Sequence, residues 1–424
     1  MNPSPDDSAN PGPAVTPPGA GFAVFVLTSM NLLNYIDRYV PSAVKDLFKA
    51  DLKLTDAQTS LPLSAFVIVY MLASPVFGAM ADKAPRTRLI AAGVALWSLA
   101  TAAAALAWNF WSFLAARALV GIGEAAYATL APPLLSDFYS AEKRNRVLTF
   151  FYVAIPVGAA IGFTVGGYLG AHWGWRAAFL ACGLPGILAA GAALMIKDPG
   201  RSASDPAPVG MSWGEAAGQL SRIPSYVYAV AGYTAVTFAA GGMADWFPVY
   251  LTRVRGMETA AAGSTVGMVT VVGGLFGTAI GGLVGERLHG KTRQPLLAVS
   301  AGSMILAAIF AAIALTVPDV RACIACIGFA QFFLWFYNGP INALIANSVS
   351  ANMRARAFSL SILCIHVLGD AVSPPIIGFV SDQTGSLSLA VMLVPLFMAI
   401  GAGIWLRGWR VVPDPGTAAS GVLA

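Results

Sequence analysis

Charge is what this chain has least of. Only 11% of its 424 residues are Asp, Glu, Lys or Arg, against roughly 25% in an ordinary soluble domain. With 57% hydrophobic residues and a mean hydropathy of +0.71, a water-soluble globule is excluded; a bilayer has to take the apolar surface. Histidine is nearly absent too. His172, His289 and His366 lie far apart in the sequence and bring no nucleophile–base set with them, which argues against a membrane-embedded enzyme. Four cysteines, at 182, 323, 326 and 364, sit in apolar segments and offer no disulfide framework. Cys323-Ile-Ala-Cys326 has no second Cys or His pair beside it and reads as packing, not as a metal site, so neither metal nor cofactor is expected. The net charge of +5 would suggest nucleic acid in a soluble protein, but here its distribution matters more, and no nucleic-acid partner is expected. Residues 1–20 are Pro-rich, carry an acidic pair and lack a basic n-region, so they read as a disordered tail and not as a signal peptide.

What the chain has in abundance is apolar runs. A spanning helix needs about 20 such residues, and runs of that kind fall near 21–49, 60–82, 88–108, 110–136, 146–172 and 175–196, then near 223–252, 259–285, 295–317, 320–349, 355–381 and 386–407. The expectation is an all-α membrane protein of twelve helices in two six-helix halves. The halves are 21–196 and 223–407, the linker is 197–222 and the C-terminal tail is 408–424. The first helix is expected to continue past the membrane through Val40, Val44, Leu47 and Phe48. Within the linker, MSWGEAAGQLSR has the pattern of a short amphipathic surface helix. Sixteen of the 25 Lys and Arg residues fall in loops on one side, seven on the other, and only Arg38 and Arg117 lie within spans. The richer side should be cytoplasmic, which puts both termini inside a multi-pass protein of the inner (cytoplasmic) membrane.

The halves also echo one another. Gly78-Ala-Met-Ala-Asp82-Lys83 after span 2 parallels Gly282-Leu-Val-Gly-Glu286-Arg287 after span 8, and Arg144-Asn-Arg146 parallels Arg354-Ala-Arg356. Parallel repeats of this kind place a transported substrate between the halves near mid-membrane. Glycines recur every fourth residue at 158, 162, 166, 170 and 174 in span 5 and at 273, 277, 281 and 285 in span 8. Such stripes let helices approach closely; static packing and a surface on which the halves rock are both open readings. Gly285–Thr292 matches the phosphate-loop pattern letter for letter, but it follows a membrane helix where that loop needs a strand. Nucleotide binding is not expected there.

The decisive residues are charges inside the membrane. A charge at the centre of a membrane helix costs about 2.5–3.5 kcal/mol and marks function by default. Asp37 and Arg38 lie near the middle of span 1, taken as 21–49, and Glu124 lies near the middle of span 4, with Arg117 two helical turns before it. Asp37 and Arg38 point about 100° apart, so Arg38 is expected to reach Glu124 while Asp37 faces another neighbour or a wet space. Buried ion pairs are poor stabilisers, so four charges at this depth are too costly for packing alone. A carboxylate whose cation moves away holds a proton more readily, so Glu124 beside a movable Arg38 has the makings of a proton switch. Asp82 and Lys83 are expected to gate the cytoplasmic seam. Asp245, at the end of span 7, is expected to be solvated, and His366 and Asp370 to form a local i, i+4 pair. Asn34, with Tyr233, Thr237, Trp335, Asn338 and Asn342, mixes aromatic surface with hydrogen-bonding groups and suits the lining of an amphiphile's cavity.

These residues carry a resemblance. Gly78-x-x-x-Asp82-Lys83 and Arg117-x-x-x-Gly121-x-Gly123 resemble loop and helix-4 motifs of the major facilitator superfamily, although Ala84-Pro85 departs from the first. NYIDRY (34–39), RALVGIGEAAYATLAPPLLSDFYSAEKR and FYVAIPVGAAIG resemble signatures of its spinster family of lysolipid and sphingolipid transporters. The resemblance spans all twelve helices and is sharpest over 31–170. It implies the major facilitator fold and a proton-coupled, alternating-access carrier that works through Asp37, Arg38 and Glu124. It also implies a lipid or other amphiphilic substrate, protons and membrane lipids as partners, and a head group near Arg38 and Arg117; a monomer is expected. Related organic-anion symporters share N-Y-x-D-R, so a carrier of a small organic anion is the alternative.

Overall fold

Proline and glycine decide where the helices of this chain break. The computed structural model describes residues 17–81, 83–200, 212–288, 291–350 and 353–413. Asp82, most of both tails, the middle of the linker and the His289-Gly290 step of the phosphate-loop match lie outside the described residues.

Helix α1 (Ala20–Ala43) ends at Val44, where φ is −113° and ψ 16°. Three residues earlier Pro41 deprives the Asp37 carbonyl of its helical donor. A separate α2 (Lys45–Leu52) follows, so the single helix expected over 21–49 is two. Helix α3 (Asp56–Met80) opens with a capping box between Thr55 and Gln58. Helix α4 (Arg86–Ala104) precedes α5 (Phe110–Asp137), which opens with another box between Asn109 and Ser112. Helix α6 (Ala141–Ala193) runs through two crossings. Its membrane-compatible part, Arg146–Ala193, has 48 residues, about 72 Å at 1.5 Å per residue, and it breaks at Gly174, with φ 81° and ψ 163°. That conformation is essentially reserved for glycine. Beside the break, Trp175 donates to Asp51 Oδ2 at 3.1 Å, and Arg176 pairs with the same carboxylate and donates to the Ala107 carbonyl at 2.9 Å. The turn is thereby stapled to the ends of α2 and α4.

The second half begins after α7 (Trp213–Leu220), the short linker helix, capped by Ser212 and Glu215 with Ala216 and Leu220 buried. Then come α8 (Pro224–Arg253), α9 (Thr259–Arg287), α10 (Pro295–Thr316) and α11 (Val320–Leu334). A 3-10 turn (Trp335–Tyr337) continues α11 into α12 (Asn338–Asn347). Helix α13 (Arg354–Ile365) passes through a π-helical turn, His366–Asp370, into α14 (Ser373–Thr384). Helices α15 (Leu387–Ala390) and α16 (Leu393–Val411) complete the chain. Eleven helical stretches among the described residues are long and apolar enough to cross a bilayer. With α6 counted on both sides of Gly174 they make twelve crossings.

The packing repeats as the sequence does. In the first half α1 lies on the first part of α6, α3 on α5, and α4 on the last part of α6; in the second, α8 lies on the α13–α14 stretch, α9 on α11, and α10 on α16. The halves meet where α6 touches α9, α3 touches α14 and α1 touches α8. The glycine stripes serve the halves internally. A Cβ at Gly158, Gly162, Gly166 or Gly170 would strike α1 or Val44 beyond it, and one at Gly273, Gly277 or Gly281 would strike α11 or the 3-10 turn. The surface shared by the halves uses other glycines: Gly167 against Thr259, and Gly263 and Gly267 against Phe163 and Ala160.

Candidate functional site: buried ion pairs and a cross-half lock

The site begins with two glycines. A Cβ at Gly121 would lie 2.5 Å from the Phe66 carbonyl of α3, and one at Gly123 would lie 2.5 Å from the Gly93 carbonyl of α4. Their bare backbones let α5 wedge between α3 and α4, which turns Arg117 and Glu124 toward α1. There the four charges sort into two pairs. Arg38 Nε donates to Glu124 Oε2 at 2.7 Å, as expected. Asp37 receives Arg117 Nη1 at 3.2 Å and the Thr101 hydroxyl at 2.6 Å, so its other neighbour is a cation and not a wet space.

The two pairs differ in access. Asp37 and Arg117 are each 1% exposed and Glu124 is 0% exposed, while the Arg38 side chain keeps 21% of its surface open. Arg38 lies among the rings of Tyr35, Phe66 and Tyr70, 5.0–5.2 Å from each centroid. Three buried polar atoms here have no protein partner: Glu124 Oε1, Arg117 Nη2 and the Asn34 amide nitrogen. The depth differs from the sequence expectation. Because α1 stops at Ala43, Asp37 and Arg38 lie about one and a half to two turns beyond its middle, toward its Lys/Arg-poor end.

The second-half residues gather only in part. Tyr233 meets Tyr337 edge-on at 5.1 Å. Asn342 donates to the Asn338 carbonyl at 2.7 Å, and Thr237 donates to the Tyr233 carbonyl. Trp335 turns elsewhere. Its indole donates to Gln331 at 3.2 Å, and its ring lies beside Gly274, where Pro156 of the first half also approaches. Asn34 lies in α1, in the first half, and is 2% exposed. His366 and Asp370 do pair, at 2.9 Å, within the π-helical turn. At the Lys/Arg-rich end Gly78 faces Thr129 of α5 and Lys83 is exposed. Arg86 is the organising cation there, held by Asp137 at 2.5 Å and Asp198 at 2.6 Å.

Asp245 overturns its expectation. It lies two turns inside the end of α8, is 2% exposed, and joins the halves. Lys45, also 2% exposed, pairs with it; Ser42 and Ser60 donate to it at 3.0 and 2.7 Å, and Lys45 also donates to Ser60 at 2.8 Å. Farther out, Asp56 of α3 takes Arg253 of α8 at 2.8 Å, Lys49 at 2.5 Å and Ser381 of α14 at 2.6 Å. Asp382 of α14 accepts from the amides of Asp56 and Ala57 at 2.8 and 2.9 Å, so a carboxylate of one half caps a helix of the other. These contacts close the Lys/Arg-poor end. One signal pointed to Asp245: a lone carboxylate in an apolar stretch, the rule that singled out Asp37.

Comparison with known proteins fits this architecture. The sequence profile of the Major Facilitator Superfamily matches residues 27–374, and with the fold it makes the chain a membrane transporter, not an enzyme. Protein spinster homolog 1 of Xenopus tropicalis is 32% identical over 422 residues, covering 90% of this chain and 79% of the relative. The Homo sapiens protein of that name is 32% identical over 87% of this chain and 74% of its own. The chain belongs to the spinster family. In fold it is similar to a bacterial homologue of the human lysosomal transporter spinster, solved inward-facing and occupied, with a TM-score of 0.82 at 22% identity over 93% of this chain and 98% of the other. It is also similar to a D-xylose–proton symporter, with a TM-score of 0.72 at 16% identity over 93% and 98%.

Proposed function

We propose that the protein is a proton-coupled secondary transporter of lysolipid or sphingolipid-like amphiphiles. It works by alternating access of the halves 21–196 and 223–407, with both termini and the Lys/Arg-rich loops cytoplasmic. The observation that carries this reading is the Arg38–Glu124 pair: a wholly buried carboxylate with one free oxygen, bonded to a cation that alone among the four charges keeps a path outward. A proton on Glu124 removes the charge that holds Arg38, and Arg38 is then free to meet an anionic head group. Asp37 and Arg117 fix the register of α1 on α5 so that this exchange is local. Tyr233, Thr237, Asn338 and Asn342 line the second-half wall, Trp335 the seam and Asn34 the first-half wall. Kinship with proteins named spinster, together with the ring cage around Arg38, supports an amphiphile.

The test is reconstitution into vesicles with a labelled lysophospholipid, with and without an imposed pH gradient. Wild type is expected to move the lipid faster under the gradient, and Glu124→Gln to lose that stimulation. Lipid movement equal in both, or none from a protein that still takes up a small organic anion, refutes the reading; the second result points to an anion symporter.

A further inference from the structure

We infer that Lys45 and Asp245 are the latch that holds the transporter closed at its Lys/Arg-poor end. This rests on the alternating-access reading above and adds to it the residues that set the balance between its two faces. Each half supplies one charge: Lys45 at the start of α2, Asp245 in α8. The side chains keep 1% and 3% of their surface. Within the pair and its two serines both carboxylate oxygens are bonded, and the ammonium makes two of its three possible hydrogen bonds. The ammonium is shared by Asp245 and Ser60 and lies 4.0 Å from the Trp246 ring, and the carboxylate takes Lys45, Ser42 and Ser60. Ser60 both receives from Lys45 and gives to Asp245. A small cavity of about 10 Å³, room for about one water, adjoins the latch and is lined by Arg38, Ser42, Lys45, Arg117 and Asp245 among others. It joins the latch to the intramembrane ion pairs. Asp46 and Asp56 are the other charges near Lys45.

A dry ion pair behaves as a latch and not as glue. Removing two charges from water costs nearly what their attraction returns, so this pair adds little net force of its own to the closed end and parts when water reaches it. Losing one partner is different, because the remaining charge is stranded whenever the end is closed and hydrated whenever it is open. Single neutralisation must therefore favour opening, and double neutralisation must not.

The experiment places spin labels on opposite halves at this end, on cysteines replacing Trp108, 78% exposed, and Gln383, exposed at the end of α14. The background is the full chain with its four native cysteines changed to alanine, and a second pair of labels at Lys83 and Arg287 reports the opposite end. Lys45→Met and Asp245→Leu are each expected to raise the ratio of open to closed distances at the first pair by at least about tenfold, and Lys45→Met/Asp245→Leu to return it to the wild-type value or below. Single variants that leave the distances unchanged, or a double variant as open as the singles, overturn the latch. If the single variants do not fold, the double variant decides alone, since any gain in its open population contradicts the inference. Opening at the first pair without closing at Lys83 and Arg287 keeps the latch and sinks alternating access.

Discussion

Replacing Asp37 by leucine strands a guanidinium in the driest part of the first half. Arg117 is 1% exposed, already has one nitrogen without a partner, and among the described residues pairs with one carboxylate, Asp37, at 3.2 Å. Breaking a buried pair from one side costs about 3–5 kcal/mol, and the Thr101 hydroxyl loses its acceptor, about 1 kcal/mol more. Arg117→Met should cost about as much, since Asp37 keeps only Thr101. Asp37→Leu/Arg117→Met removes both charges at similar volume and should fall within about 1–2 kcal/mol of wild type, leaving a coupling energy of several kcal/mol. The pair next door behaves otherwise. Arg38 is 21% open, so Glu124→Gln leaves it an amide acceptor and a path to water, and should cost no more than about 1–2 kcal/mol. Equilibrium unfolding in mixed SDS micelles, followed by the fluorescence of the ten tryptophans, measures all four variants. A double mutant as unstable as the sum of its singles, or an Asp37→Leu protein as stable as Glu124→Gln, refutes the division into a fixed pair and a movable one.

Two further outcomes test the frame that holds those pairs. Gly174→Ala meets no atom within 4 Å of the new Cβ, so its expected loss of about 1–3 kcal/mol comes only from a backbone conformation closed to alanine; the same unfolding assay checks it. Gly123→Ala puts a methyl 2.5 Å from the Gly93 carbonyl and 2.6 Å from the Trp97 amide. Since both are backbone atoms, α4 and α5 must part, with a loss of about 1–3 kcal/mol and slower proton-driven lipid movement in vesicles.

Composition and period determined much of this protein. The scarcity of charge, the length of the apolar runs and the echo between Gly78–Lys83 and Gly282–Arg287 yield twelve crossings in two halves, because a bilayer leaves a chain with satisfied backbone groups few other shapes. The partners Arg38 and Glu124 were legible as well, since intramembrane charges are rare enough to have few possible mates. What only the tertiary structure decided is which neighbours long-range packing supplies. Arg117 as the mate of Asp37 depends on Gly121 and Gly123 drawing α5 into contact with α3 and α4. The glycine stripes turned inward, onto α1 and α11, because spacing by four fixes that residues share a face but not which helix they face. Asp245 looked wet because it stands near a helix end. It is dry because Lys45, 200 positions away in the chain, is carried onto it when the halves close, and a separation of that size has no period to be read along the sequence.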